Sequence, residues 1–139
     1  MADALSDYLE KQILNFLKGT TFVAAPATLY VALYIATPTD ADASGTEVSG
    51  GTYARKPITT SSGWSAISGG GASPNQISNA AVIDWTTTLP ACTLVAWALY
   101  DAVTVGHEYW WGPLTGQPIS VNAGDPTSFA IGALVVLLG

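Results

Sequence analysis

The chain has 139 residues, 49% of them hydrophobic and only 10% charged, with five tryptophans, one histidine and one cysteine. Globular chains usually carry about a quarter charged residues, so this surface is expected to be covered largely by other protein, and the scarcity of catalytic side-chain types argues against an enzyme. Ten acidic against four basic residues give a net charge of −6, which a phosphate backbone repels and which argues against sequence-independent nucleic-acid binding.

The length suits a single domain over 1–139, with a helix over 4–18 and a β-sandwich over 28–139. Met1 to Glu10 is acidic where an export signal carries positive charge before an apolar stretch. The longest apolar run, Ala130 to Gly139, falls short of the roughly twenty residues that cross a bilayer. Production in the cytoplasm and no membrane segment are therefore expected.

Leu5, Leu9, Ile13 and Phe16 or Leu17 recur every three or four residues, which predicts an amphipathic helix from Leu5 to Leu17. Asp3 or Ser6 can cap its start through a side-chain oxygen. Asp7 and Glu10 near the start and Lys18 near the end suit the helix dipole, and Gly19 supplies the stop. A helix this short is marginal alone. Its apolar face must rest on the chain's own sheet or on a neighbouring subunit.

Beyond Gly19 the pattern turns to strands. Leu29 to Ala36 is aromatic and β-branched, the mark of a central strand. Asp40 to Thr52 is small, acidic and glycine-rich, hence a loop. Tyr53 to Thr60 reads as a strand that Pro57 confines to an edge. Ser61 to Asn75, with Gly69-Gly70-Gly71 and Trp64, reads as a long mobile loop. Strands are then expected at Gln76 to Trp85, Thr93 to Tyr100, Glu108 to Gly112, Pro118 to Val121, Thr127 to Ile131 and Ala133 to Leu138. Short strands separated by turns predict a mainly β fold: an antiparallel β-sandwich (jelly-roll-like) or barrel with one N-terminal amphipathic α-helix.

Trp110 and Trp111 are adjacent in one strand and so point to opposite faces. One can enter the core; the other needs a helix, a loop or a partner to cover it. Asp40, Asp42 and Ser44 resemble the opening of a calcium loop, yet the twelfth position is Gly51 rather than a bidentate Glu, so a solvated acidic loop is the reading. His107 and Glu108 are placed at the tip of a hairpin beginning at Asp101. Asp84, Asp101 and Glu108 border tryptophans as glycosidase carboxylates can, but ten acids always offer such pairs, and no catalytic or metal residue is assigned. No cofactor fingerprint is present. Cys92 lies in an apolar run and reads as a small core residue. Trp64 is either a sugar-stacking side chain, as in a glycan-binding module, or folds back over the sheet.

A series of short segments carries a further signal: Ala4 to Glu10, Gly19-Thr20, Tyr30 to Tyr34, Thr37 to Asp40, Gly45 to Gly51, Tyr53-Ala54-Arg55, Tyr100-Asp101-Ala102, Trp111 to Leu114, Val121 to Asp125 and Phe129. The series resembles a family of small virion structural proteins of tailed bacteriophages, commonly labelled tail fibre or minor structural protein, over Ala4 to Leu138. The resemblance implies a non-enzymatic protein of the virion, on the capsid surface or in the tail. Its partners would be the major capsid protein or tail proteins, and it would be homo-oligomeric, a trimer fitting shell three-fold positions. Size favours a capsid decoration (cement) protein that stabilises the head shell by binding it selectively. A tail fibre or tail-tip component, receptor-binding in some cases, is the alternative, and a glycan-binding module the third. The expected contact residues are Leu5, Leu9, Ile13, Phe16, Trp64, Trp110 and Trp111, with the Asp40 to Thr52 loop.

Overall fold

A computed structural model describes residues 4–42 and 44–138. In chain order the elements are β1 (Ala4–Leu5), α1 (Asp7–Leu17), β2 (Thr28–Ala36), β3 (Thr46–Glu47) and β4 (Lys56–Thr59), then β5 (Ser68–Gly70), β6 (Ser73–Ser78) and β7 (Ile83–Asp84). The chain continues through β8 (Cys92–Leu94), β9 (Ala96–Tyr100), β10 (Glu108–Pro113), β11 (Ile119–Val121), β12 (Ser128–Phe129) and β13 (Val135–Leu138). The fold is mainly β with one short N-terminal helix, as the composition and turn spacing imply. Every strand pairing is antiparallel.

The main sheet runs β1-β10-β9-β2-β3, with β4 also paired to β2. Two small two-stranded sheets, β11-β8 and β12-β7, and a three-stranded sheet, β13-β6-β5, accompany it. The sheets stay open, so the barrel alternative is set aside in favour of layered packing. At the centre, β9 is buried at all five positions. Trp97 and Leu99 face one side with Val31, Leu33 and Trp110. There they meet Ile83, Leu94 and Val121 from the smaller sheets. Ala96, Ala98 and Tyr100 face the other side with Ala32 and Tyr34. Burial of this kind contributes roughly 1.5–3 kcal/mol per large apolar side chain. Trp85 anchors the first cluster: it is fully buried, its Nε1 donates to the Ala54 carbonyl at 3.0 Å, and Phe129 meets it edge-on at 6.0 Å.

Several expected elements differ: Thr93 to Tyr100 splits at Val95 into β8 and β9 of different sheets, β3 lies inside the Asp40 to Thr52 loop, and two further stretches depart more. The stretch Gln76 to Trp85 is not one strand: it breaks at Asn79, which is buried. The Asn79 amide donates to the carbonyls of Ala81 and Ala130, both at 2.8 Å, and its oxygen accepts from the Leu134 N–H at 2.9 Å. These bonds stitch two turns together and draw the chain out of the strand ladder. The Ser61 to Asn75 stretch is not simply a loop either, because β5 and β6 form a hairpin within and beyond it. Gly69, at φ +100, sits where any Cβ would meet the Pro74 carbonyl oxygen, so the glycine permits the close approach of the two strands. Pairing of β6 with β13 supplies the remaining ladder.

Candidate assembly surface at the N-terminal helix

Ser6 adopts an extended backbone and caps α1, its Oγ accepting from the Leu9 N–H at 3.3 Å. The same hydroxyl donates to the Glu108 carbonyl. Asp3, the alternative cap, lies outside the described residues. The cap is tied to the body by three further contacts. The Ser6 N–H donates to the Tyr109 carbonyl at 3.2 Å, and the Asp7 N–H to the Asp40 carbonyl at 2.7 Å. Tyr8 stacks face to face on His107, with centroids 4.0 Å apart. The helix is thus fastened at its first turn. At its far end Lys18 closes the last turn and Gly19, at φ +83, ends it.

No residue of α1 is buried. At about 3.6 residues per turn, Tyr8, Gln12 and Asn15 fall on one side and are partly covered, as is Leu9. The opposite side carries Ile13, Leu14, Phe16 and Leu17, which are 37%, 59%, 58% and 74% exposed. Phe22, 39% exposed, packs edge-on against Phe16 at 6.1 Å and extends the patch. A surface helix normally hides its apolar stripe against the core. This one turns it outward. Of the expected apolar face, Leu5 and Leu9 thus rest on the chain's own body, while Ile13, Phe16 and Leu17 do not.

The other expected contact residues distribute unevenly. Leu5 is half-buried and packs against the main core. Trp110 is 5% exposed within that core, so alternation along β10 removes it from the surface. Trp111, on the opposite face, is half-buried against the Tyr34–Tyr100 cluster, and its Nε1 reaches Asp40 Oδ1 at 3.4 Å. Trp64 folds back onto the main core and bridges Asn79, instead of standing free in a loop. Leu14 and Phe22 escaped the sequence reading. Leu14 sits one step off the spaced apolar positions, and Phe22 lies beyond the helix.

Beneath the helix start lies a polar cluster. Glu108 is not at a hairpin tip but at the foot of β10, and it is fully buried. Its Oε2 accepts from the Tyr100 hydroxyl at 2.9 Å and, at 3.5 Å, from Tyr34, while Oε1 has no partner among the described residues. The two tyrosine hydroxyls are 2.5 Å apart. Burial pushes the Glu108 carboxyl up to about 7; the Tyr100 hydrogen bond opposes this and the Asp42 charge adds to it. Burial likewise raises Tyr34 and Tyr100. Asp42 accepts from the Glu108 N–H at 2.6 Å and meets His107 Nδ1 at 2.7 Å.

Nearby, Arg55 forms a two-pronged ion pair with Glu47 at 3.0 and 2.8 Å. It also donates to the carbonyls of Ala102 and Val105 and lies 3.6 Å over the Tyr100 ring. Asp42 and Glu47 are thus engaged in different directions, and among the described residues no three His, Cys, Asp or Glu side chains converge as metal ligands would. Glu108 is sealed from solvent, which removes it from any open carboxylate pair with Asp84 or Asp101. Asp101 instead accepts from the His107 N–H at 2.8 Å, and Asp84 from the Thr86 N–H at 2.6 Å. Cys92 is half-buried and burial pushes its thiol up. A groove lined by Trp97, Leu114, Val121 and Phe129 has Asp125 at its rim. That carboxylate is spent on the backbone and side-chain amides of Asn122 at 2.8 and 3.0 Å.

Among the described residues the geometry offers an outward apolar helix and a sealed polar cluster. No curated protein matches the chain. A family model described as podophage GP4 fiber I protein gp80 matches residues 4–137. That match spans nearly the whole sequence and agrees with the resemblance to tailed-phage virion proteins: the chain belongs to the podophage GP4 fiber I protein gp80 family.

Proposed function

We propose that this protein is a non-enzymatic fibre component of a tailed-phage virion, folded as one unit and incorporated through its N-terminal helix. The family is named for a fibre, which favours the tail-fibre reading over the capsid cement expected from size. The carrying observation is the outward apolar face of α1 on a fibre-family chain. Exposed apolar surface of this kind marks a protein contact, and buried apolar side chains dominate interface energetics. Ile13, Leu14, Phe16 and Leu17 form that contact; Trp110 serves the core.

Quantitative mass spectrometry of purified virions tests the assignment. Copy numbers matching known tail proteins support it. A fixed ratio to the major capsid protein would return the protein to the head shell. The double variant Leu14→Asp/Leu17→Asp should abolish incorporation while the sheets stay folded, since neither side chain is buried, whereas removal of residues 1–18 would also take away β1 and the buried Ser6.

A further inference from the structure

We infer that Glu108 is a proton-sensitive latch on the root of α1: its neutral carboxyl keeps the helix fastened to the body, and its ionised form favours release. The inference concerns how the helix is held and stands whatever its outward face contacts.

The helix start hangs on two short segments of the body. The Ser6 hydroxyl and N–H donate to the carbonyls of Glu108 and Tyr109, and the Asp7 N–H donates to that of Asp40. Asp42 ties those segments to each other. Its Oδ1 accepts from the Glu108 N–H at 2.6 Å, and its Oδ2 meets Nδ1 of His107 at 2.7 Å, the ring that stacks on Tyr8. Glu108 therefore holds Ser6 with its carbonyl and Asp42 with its N–H. A side chain that leaves its site turns this backbone and loosens both bonds. The register with β9 shifts between Glu108 and Trp110, and an irregularity of this kind lets a residue be re-aimed while the strand beyond it stays paired.

The groups around the carboxyl come from several directions. β2 and β9 supply the Tyr34 and Tyr100 hydroxyls, both raised by burial and so neutral donors near neutral pH. Arg55 lies over the Tyr100 ring, but its guanidinium is committed to Glu47 and two carbonyls. Asp42 adds a negative charge, with His107 against its far oxygen. From the helix side, among the described residues, the uncharged Ser6 hydroxyl reaches the Glu108 backbone. Ionisation thus sets a second carboxylate near Asp42, with Oε1 unpartnered among the described residues. A buried charge so placed is relieved by moving into water. Burial, opposed by the Tyr100 hydrogen bond and helped by Asp42, raises the carboxyl from 4.5 to about 7 in the fastened state. Released into water, it returns toward its ordinary value. The hold is then complete below about pH 4.5 and is lost as pH rises through about 7.

Amide hydrogen exchange of the full chain by NMR tests this, with each rate expressed as protection relative to the intrinsic rate at that pH. The Ser6, Asp7 and Leu9 N–H groups should be less protected than those of β9, because the root opens without global unfolding. Their protection should fall about tenfold per pH unit between about pH 5 and about pH 7, and level off above about pH 8. In Glu108→Gln it should not vary with pH. In His107→Phe, which keeps a ring against Tyr8, the fall should persist. In Asp42→Asn the fall should end at a lower pH, since the neighbouring charge is gone while an oxygen remains for the Glu108 N–H. Four results would each overturn the inference: wild-type protection that ignores pH, a fall that Glu108→Gln retains, a fall that His107→Phe abolishes, or root amides as protected as those of β9. If Glu108→Gln does not fold, Asp42→Asn decides alone: a fall ending at lower pH supports the latch, and one ending at the wild-type pH overturns it.

Discussion

Replacing Glu108 with Gln should make the protein more stable in mild alkali. The carboxyl is fully buried and its folded pKa is pushed from 4.5 to about 7. A folded value above the unfolded one means the native state holds the proton more tightly. The stability this gives is fully present below about pH 4.5 and is lost as pH rises through about 7. At about 1.4 kcal/mol per unit, the ceiling on that loss is about 3 kcal/mol. Gln keeps the shape and an acceptor for Tyr100 but carries no charge. Its NH₂ finds no acceptor if it takes the place of the unpartnered Oε1, which gives back about 1 kcal/mol. The variant should therefore exceed the wild type by about 2 kcal/mol at about pH 8.5, and equal or trail it at about pH 5. Urea unfolding followed by tryptophan fluorescence at both pH values measures the difference. A wild type whose stability relative to Glu108→Gln is the same at both pH values would refute the argument that an ionised carboxylate is trapped between Tyr34 and Tyr100.

Arg55→Lys should lower stability by about 2–3 kcal/mol in the same assay, because an ammonium cannot hold the fork to Glu47 and both carbonyls of the 102–105 turn at once. Trp85→Ala should cost about 3–5 kcal/mol by opening a cavity in the main core and removing the bond to Ala54. Gly69→Ala should disorder the β5–β6 hairpin without unfolding the core; hydrogen exchange should rise over residues 68–78 and stay unchanged in β9.

Local chemistry made much of this fold readable. The helix start at Ser6, its stop at Gly19, the central strand ending at Ala36 and the opposite facing of Trp110 and Trp111 each follow from a capping oxygen, a positive φ or a two-residue alternation. What escaped depends on partners distant in sequence. Ser68 to Ser78 is rich in glycine, serine and polar residues, and nothing within it announces that β13 will pair with it. Glu108 was placed with His107 at a hairpin tip, yet it is buried by Tyr34 and Tyr100 from two other strands. The helix pattern shows an apolar side but not its direction. That was fixed when Ser6, Asp7 and Tyr8 bound the first turn to the foot of β10 and to the segments around Asp40 and His107. The loop with Asp40 and Asp42 was read as solvated for the same reason, yet their oxygens serve Trp111, His107 and the Glu108 amide.

Fastening α1 by one end has a kinetic consequence. An 11-residue helix lies below the length at which helices persist unaided, and here the hydrogen bonds to the body that the described residues show are all at its start. In the free chain its last turn should fray, with amides from Leu14 to Lys18 exchanging far faster than those near Leu9. Docking would then complete the helix, and the ordering entropy is subtracted from the strength of each contact. Such a contact is weak singly and readily undone, so misplaced subunits can detach and be replaced before neighbouring contacts lock the particle. On the attachment proposed above, the fraying end would trade contact strength for reversibility.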